Sequence, residues 1–241
     1  MYRHRQGRCT KFVSFSGIDG AGKTTQIENF RAYMERAGIP CRIICFWDDV
    51  AAFTSLRETA SYTLFHGDRG VGTPEAPISR RDKNVRSWFM SGVRLFLYCA
   101  DAFSLRAQVC KALHTHAGVV VFDRYIYDEL ANLNLSNTFM RGYAWLMSIL
   151  APRPDISFLL DANPLDARRR KPEYPLEFLL ANRKSYLTLS ELIGGVTVVP
   201  SAAIPDVERE MIRHAEDILS FTPLESVPPP QCKQSVDLTA S

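Results

Sequence analysis

Residues 12–25 constrain the fold of this chain more than any other stretch. They read FVSFSGIDGAGKTT, an apolar run that leads into the pattern G-x-x-x-x-G-K-[ST]. The apolar run predicts a buried strand, and the glycine-rich pattern predicts a phosphate-binding loop that opens a helix. Backbone N–H groups of such a loop and the positive end of its helix both favour phosphates. We therefore expect a nucleoside triphosphate to bind at Gly17, Ile18, Asp19, Gly20, Ala21, Gly22, Lys23, Thr24 and Thr25.

The side chains of the loop and of a second strand end suit phosphoryl transfer. Lys23 offers a positive charge to the β- and γ-phosphates, and the Thr24 hydroxyl is the expected magnesium ligand. Asp123 ends the apolar run VVVFD, where its carboxylate can hold magnesium through water or accept the acceptor's proton. Arg124 can clamp an anion in a fork geometry. These residues predict that a nucleoside triphosphate and Mg²⁺ bind here; the alternative is that Asp123 and Arg124 only cap the next helix.

Apolar strand-like runs alternate with helical periodicity along most of the chain. After the first strand, strands are predicted at 41–47, 119–122, 156–162 and 196–199, and helices at 24–37, 82–114, 176–193 and 206–220. This alternation predicts parallel pairing through right-handed crossovers. The predicted fold class is an α/β P-loop fold, a doubly wound parallel five-stranded sheet with helices on both faces. Such sheets bind ligands at the carboxyl ends of their strands.

The length of 241 residues fits one α/β domain. We predict this domain over residues 11–221, with a lid at about 167–176, a flexible basic N-terminus at 1–10 and a flexible Pro-rich tail at 222–241. Asp161, at the end of the fourth predicted strand, is expected to cap the helix that follows. The basic run 168–171 is either a lid that neutralises the transferred phosphoryl group or a solvated helix face.

Composition excludes several other classes of protein. The net charge is +3, from 29 basic and 26 acidic residues, so nothing favours nucleic-acid binding. No apolar run has the length of a membrane span, and no membrane association is expected. The six cysteines show no C-x-x-C pair or zinc spacing, and we interpret them as small buried residues in a reducing compartment. A cytoplasmic location follows as an expectation.

Taken together, these motifs resemble the thymidylate kinase family. The resemblance covers about residues 10–220 and rests on FSGIDGAGKTTQ, VVVFDRY, PDISFLLDANPLDARRR and ANRKSYLTL. It implies a parallel sheet of five strands, ATP and magnesium, and often a homodimer. It also implies that Arg170, at the position of a nucleotide-contacting arginine, is both an ATP-binding and a catalytic residue.

The departures from the family pattern lie on the acceptor side. The family's second strand normally ends in Arg-Glu-Pro, whereas this chain reads FWDDVAAF, and Asp128 stands where the family has serine. We expect Asp48, Asp49, Arg124 and Asp128 to bind the acceptor. The predicted function is transfer of the γ-phosphoryl group of ATP to a nucleoside monophosphate, with dTMP as the family default. Two alternatives stay open: a kinase for another small-molecule acceptor, and a nucleotide-binding regulatory protein without kinase activity.

Overall fold

The computed structural model describes residues 10–51, 88–115 and 118–219. Within them lies a five-stranded sheet in the order β2-β3-β1-β4-β5, with every neighbouring pair parallel. The strands are β1 Lys11–Ser16, β2 Cys41–Cys45, β3 Val119–Asp123, β4 Ile156–Asp161 and β5 Thr197–Pro200. The helices are α1 Lys23–Arg36, α2 Trp88–Thr115, α3 Ile126–Leu130, α4 Thr138–Leu150, α5 Pro164–Arg170, α6 Leu176–Ile193 and α7 Ile204–Leu219. The predicted fold class is confirmed.

The core has two layers because alternate side chains of β1 point to opposite faces of the sheet. Val13 and Phe15 face α1 and α7 in one buried cluster, where Phe15 packs edge-on against Phe30. Phe12 faces the other cluster, to which α2, α3, α4 and α6 contribute. Both faces of the sheet are therefore covered, as its continuous apolar strands require.

Pairing register places the strand ends together at one edge. Phe15 of β1 is level with Asp123 of β3, and Cys45 of β2 is level with the same aspartate. On the other side of β1, Ser16 is level with Leu159 of β4. The P-loop, the end of β3 and the end of β4 consequently share the carboxyl edge of the sheet.

The second strand is shorter than predicted. It ends at Cys45, and residues Phe46–Val50 form a π-helical turn closed by a 2.7 Å hydrogen bond from the Ala51 N–H to the Phe46 carbonyl. The carboxylate of Asp49 accepts the Cys45 N–H at 2.9 Å, which satisfies a donor that would otherwise continue the strand. The prediction of strand at Phe46 and Trp47 was wrong for this reason.

The predicted flexible ends fall almost wholly outside the described residues. Only Thr10 of the segment 1–10 is described, and it is buried; the tail 222–241 and the start of the helix predicted from residue 82 are not described. No helix in the described ranges is long and apolar enough to span a membrane. Among the described cysteines, all free thiols, Cys41, Cys45 and Cys99 are half-buried, whereas Cys110 is exposed, contrary to the expected burial.

Candidate active site

The P-loop fits between β4 and α5 only because of its glycines. Gly17 has a φ of 146°, and a Cβ there would stand 2.7 Å from the carbonyl oxygen of Leu160. Gly20 has a φ of 80°, and its Cβ would meet the Ala167 carbonyl oxygen at 2.3 Å. A side chain is strained at such φ values and would clash with backbone at both positions. The loop is thus packed tightly against the helix that begins the predicted lid.

Lys23 is buried in the loop with its ammonium on backbone oxygens. Its Nζ donates to the carbonyl of Gly17 at 2.7 Å and to that of Ile18 at 2.8 Å. Burial and, to a lesser extent, the positive charge of Arg124 lower the pKa of Lys23 to about 8, although nearby carboxylates including Asp128 act to raise it. A polyanion at the loop would favour the charged ammonium and so raise this pKa again.

Asp123 and Thr24 provide oxygen atoms beside the loop. Asp123 is the last residue of β3 and half-buried, while Thr24 is exposed in the first turn of α1. Burial raises the pKa of Asp123, although Arg124 and Lys23 act in the opposite direction. Carboxylate and hydroxyl oxygens are the donors that Mg²⁺ prefers, so the chemistry of the pair fits this cation. In the described ranges there is no cluster of three or more His, Cys, Asp or Glu side chains suited to a metal ion.

Arg124 has a left-handed backbone, with a φ of 68°, at the end of β3. Its N–H donates to the Phe15 carbonyl at 3.0 Å, which holds the residue against β1. The guanidinium forms an ion pair with Asp19 of the P-loop, and its Nη1 lies 3.6 Å from Asp128 Oδ1. Burial alone would lower the pKa of Arg124, but the carboxylates of Asp128 and Asp19 raise it more. The guanidinium is thus held as a cation next to the P-loop.

Asp19 completes the charge balance of the loop. Burial raises the pKa of Asp19, but the positive charges of Arg124 and Lys23 lower it more strongly, so the net pKa is below the ordinary value. This carboxylate stays ionised at neutral pH and keeps a cation beside the phosphate-binding backbone.

Asp128 is buried inside the protein, whereas a residue that binds the acceptor must be accessible to it. Its side chain is 1% exposed, and both of its oxygens have partners within the protein. Oδ2 accepts from the Ser16 hydroxyl at 2.6 Å and from the Tyr125 N–H at 3.0 Å, and Oδ1 accepts from the Tyr186 hydroxyl at 2.8 Å. The geometry therefore gives Asp128 contacts inside the protein in place of the expected contact with an acceptor.

The other predicted acceptor residues lie in the π-helical turn after β2. Trp47, Asp48 and Asp49 are exposed, whereas Phe46 and Val50 anchor the turn in the core. The negative charge of Asp48 raises the pKa of Asp123, after burial and Asp128, so the two carboxylates are close enough to interact. Asp49 has one oxygen engaged by the Cys45 N–H. Of the predicted carboxylates, Asp48 is the one that the fold leaves open toward Asp123.

The predicted lid consists of α5 and the turn that leads to α6. Arg170 is exposed at the end of α5, and its Nη1 lies 3.7 Å from the point where a Cβ on Gly22 would stand. The helix is capped by Asn163, whose side chain accepts the Leu165 N–H at 2.9 Å. The prediction that Asp161 caps this helix was wrong.

Asp161 instead forms a bidentate pair with Arg183 of α6. The guanidinium Nε lies 2.5 Å from Oδ1, and Nη2 lies 2.7 Å from Oδ2. This pair lies in the wall of a cavity of about 450 Å³ between the end of β4, α5, α6 and the end of β5. The other lining residues are Asn163, Pro164, Leu165, Leu176, Leu180, Pro200 and Ser201.

The structure thus brings Lys23, Thr24, Asp123, Arg124 and Arg170 to one edge of the sheet. Sequence reasoning missed the part played by Ser16, and it noted Arg183 and Tyr186 only as matches to a motif. A buried strand end or a helical periodicity does not indicate which side chains, far apart in the sequence, will contact each other. Asn163 was recognisable, because Asn-Pro commonly precedes a helix.

Comparison with known proteins identifies relatives over most of the chain. No family model matches it. A thymidylate kinase of Bifidobacterium longum is 30% identical over 164 residues, which cover 66% of this chain and 70% of the relative. A probable thymidylate kinase of Thermococcus gammatolerans is 28% identical over 223 residues, which cover 87% of this chain and 98% of the relative. One from Methanosphaera stadtmanae is 23% identical over 207 residues, covering 84% and 95%.

Solved structures agree with these relatives on the fold. The thymidylate kinase of Candida albicans superimposes with a TM-score of 0.60 over 89% of this chain and 94% of its own, at 16% identity. The sequence relatives carry the family assignment, and this structure independently supports the α/β P-loop fold. The chain belongs to the thymidylate kinase family of phosphotransferases.

Proposed function

We propose that this chain transfers the γ-phosphoryl group of ATP to a nucleoside monophosphate in a Mg²⁺-dependent reaction, with dTMP as the first acceptor to test. One observation carries the proposal: the P-loop lysine, the Asp123 carboxylate and the Arg124 guanidinium meet at the same edge of the sheet. Phosphoryl transfer needs positioning and electrostatic stabilisation more than covalent help from the protein, and these groups supply both.

The donor side is supported by the P-loop and the neighbouring cavity. The loop N–H groups and the start of α1 would hold the phosphates, with Lys23 moving from the Gly17 and Ile18 carbonyls to the β- and γ-phosphates. The cavity of about 450 Å³ has the apolar walls of Leu165, Leu176 and Leu180 and would take the base of ATP. Arg170 lies close to Gly22 of the loop, where it would contact the phosphates.

Magnesium would be held by the Thr24 hydroxyl and, through water, by the Asp123 carboxylate. When bound, the cation supplies neutralisation of the phosphate oxygens. Arg124 and Arg170 are the two guanidinium groups placed to stabilise charge on the transferred group.

The acceptor would bind in front of the π-helical turn, opposite the donor side. Arg124 would contact an anionic group of the acceptor, and the exposed Asp48 and Asp49 would accept hydrogen bonds from its hydroxyl or amino groups. Asp128 has no place in this acceptor site, since its oxygens are engaged within the protein.

We also propose a homodimer that forms through the outer faces of α2 and α4. Val93, Phe96 and Phe103 lie on one side of α2 at helical spacing, with Phe103 71% exposed. On α4, Phe139 and Ile149 are exposed as well. The helices contact each other through Cys99 and Tyr143, so that the two apolar faces adjoin. A patch of this kind marks an interaction surface.

The free thiols of the described cysteines support the cytoplasmic location.

The test is a transfer assay with γ-labelled ATP, Mg²⁺ and a panel of acceptors. The panel contains dTMP, the other nucleoside monophosphates, and thymidine as an acceptor without phosphate. Label on dTMP or another monophosphate, lost on Lys23→Met, supports the proposal. Label on thymidine alone would indicate a kinase for a different acceptor. Tight ATP binding with no labelled acceptor would indicate a regulatory nucleotide-binding protein and refute the proposal.

A further inference from the structure

Asp128 is a fully buried carboxylate that the proposed reaction does not use directly. Its four partners lie on three different parts of the fold: Ser16 at the end of β1, Arg124 and Tyr125 after β3, and Tyr186 on α6. A buried carboxylate is costly unless each oxygen is bonded and its charge is balanced. Both conditions are met here, which indicates that the surrounding residues stabilise a negative charge at this buried position.

The charge of Asp128 acts on Arg124 in two ways. Oδ1 lies 3.6 Å from Nη1 of the guanidinium, so an ion pair orients the Arg124 side chain from its inner, buried side. Oδ2 accepts the N–H of Tyr125, the peptide directly after Arg124, at 3.0 Å. Arg124 has the only left-handed backbone of any non-glycine residue in the described ranges. Such a conformation persists only where the surrounding contacts hold it, and Asp128 supplies one of those contacts.

Ser16 and Tyr186 fix the carboxylate itself. Ser16 directly precedes Gly17, the first glycine of the P-loop, and its hydroxyl donates to Asp128 Oδ2 at 2.6 Å. The Tyr186 hydroxyl is buried on the helix that follows the lid and donates to Oδ1 at 2.8 Å. The guanidinium of Arg124 therefore has a fixed anion on its inner side, Asp128, and a more exposed one on its outer side, Asp19.

We propose that Asp128, held by Tyr186 and Ser16, is a positioning residue that keeps the Arg124 guanidinium aimed at the reacting phosphates. Asp19 is the exchangeable partner: a phosphate that enters the site competes with its carboxylate for the outer side of the guanidinium, while Asp128 keeps the inner side in place. The kinetic part of this inference rests on the proposed function. The positional part does not, and the two are tested separately.

Nuclear magnetic resonance of ¹⁵N-arginine-labelled protein tests the position directly, without a substrate. The Arg124 side-chain signals are assigned by their loss in Arg124→Lys. In the wild type we expect slow exchange with water and restricted motion. Asp128→Asn should speed exchange at least tenfold, and Tyr186→Phe, which deletes only a hydroxyl, should have a smaller effect in the same direction. Unchanged Arg124 signals in both variants would overturn the proposal.

The matched control is Asp155→Asn, at the opposite edge of the sheet. Asp155 also pairs with a cation, Lys11 at 2.9 Å, and accepts a backbone N–H, that of Phe12 at 2.9 Å. It makes no contact with Arg124, so its loss should leave the Arg124 signals and turnover unchanged. If Asp155→Asn moves the Arg124 signals as far as Asp128→Asn does, general destabilisation explains the effect and the positioning role is wrong.

Turnover of ATP and dTMP then tests the consequence. A shift of catalytic groups of about 1 Å costs on the order of 100-fold, so Asp128→Asn should lower kcat by 10- to 100-fold with little change in the KM for ATP. In the Arg124→Lys background the same substitution should lower kcat less than threefold, because the group that it positions is gone. Equal losses in both backgrounds would overturn the proposal. Absence of turnover in the wild type would refute the proposed function alone, and the resonance experiment would still decide the position of Arg124.

Discussion

Replacement of Lys23 by Met should make the ligand-free protein more stable at neutral pH. Burial lowers the pKa of this lysine from its ordinary 10.5 to about 8. At 1.36 kcal/mol for each tenfold change, the charged ammonium costs the folded state about 3 kcal/mol at pH 7. Met removes this cost but also two hydrogen bonds, to Gly17 and Ile18, worth about 1 kcal/mol each. The difference leaves Lys23→Met about 1 kcal/mol more stable at pH 7.

The pH dependence of the difference is the sharper prediction. Between pH 8 and 10.5 the unfolded chain binds the proton that folded Lys23 has lost, so wild-type stability rises with pH through this window. The advantage of Lys23→Met over the wild type should therefore fall by about 2.5 kcal/mol from pH 7 to pH 10, and its sign should reverse. The lost hydrogen bonds cancel in this comparison, because they are absent from the variant at both pH values.

Urea unfolding of both proteins at pH 7 and pH 10 measures the effect. Lys184→Met is the control, since Lys184 is exposed on α6 and its ammonium stays in water. Saturating Mg²⁺–ATP should raise the stability of the wild type and of Lys184→Met but not that of Lys23→Met. A stability difference between Lys23→Met and the wild type that does not change with pH would show that the ammonium is not desolvated in the loop, and the reasoning would fail.

Three further predictions concern the loop, the cavity and the surface. Gly20→Ala places a Cβ 2.3 Å from the Ala167 oxygen and should weaken ATP binding at least tenfold in a fluorescent-nucleotide titration; Gly142→Ala, which meets nothing within 4 Å, should not. Arg183→Gln breaks the bidentate pair with Asp161 and should raise the Kd for ATP, and Arg183→Lys should not restore it because lysine lacks the fork. Phe103→Glu should convert the proposed dimer to a monomer in sedimentation velocity; an unchanged sedimentation coefficient would contradict a dimer interface on α2.

The sequence predicts best where local pattern and tertiary packing agree. The predicted helix at 176–193 has the same bounds as α6, and β1, β3 and the P-loop follow their apolar and glycine patterns closely. The P-loop residues were predictable because close approach to a phosphate needs glycine at fixed spacing. The prediction for the second strand was wrong from Phe46 onward. There the Cys45 N–H donates to the Asp49 carboxylate and the backbone turns, which the apolar sequence does not indicate.

Long-range partners account for the errors at the site. Asp128 was expected to face an acceptor, yet its hydroxyl partners are Ser16, 112 residues earlier, and Tyr186, 58 residues later. Asp161 was expected to cap the next helix, but Arg183, 22 residues away, takes both of its oxygens. A carboxylate at a strand end can be recognised from sequence; its partners depend on the packing of helices that no local pattern specifies.

Strand β1 lies at the centre of the sheet and separates the proposed acceptor site from the pocket at Asp161 and Arg183. On one side stand β2 and β3, which come from the chain before residue 124; on the other stand β4 and β5, which come from the chain after residue 155. Mutations around residues 46–51 would therefore change the proposed acceptor site without disturbing the pocket at Asp161 and Arg183. The same separation makes this short turn a segment to exchange between relatives, since a chimera would keep the proposed ATP pocket while its acceptor is changed.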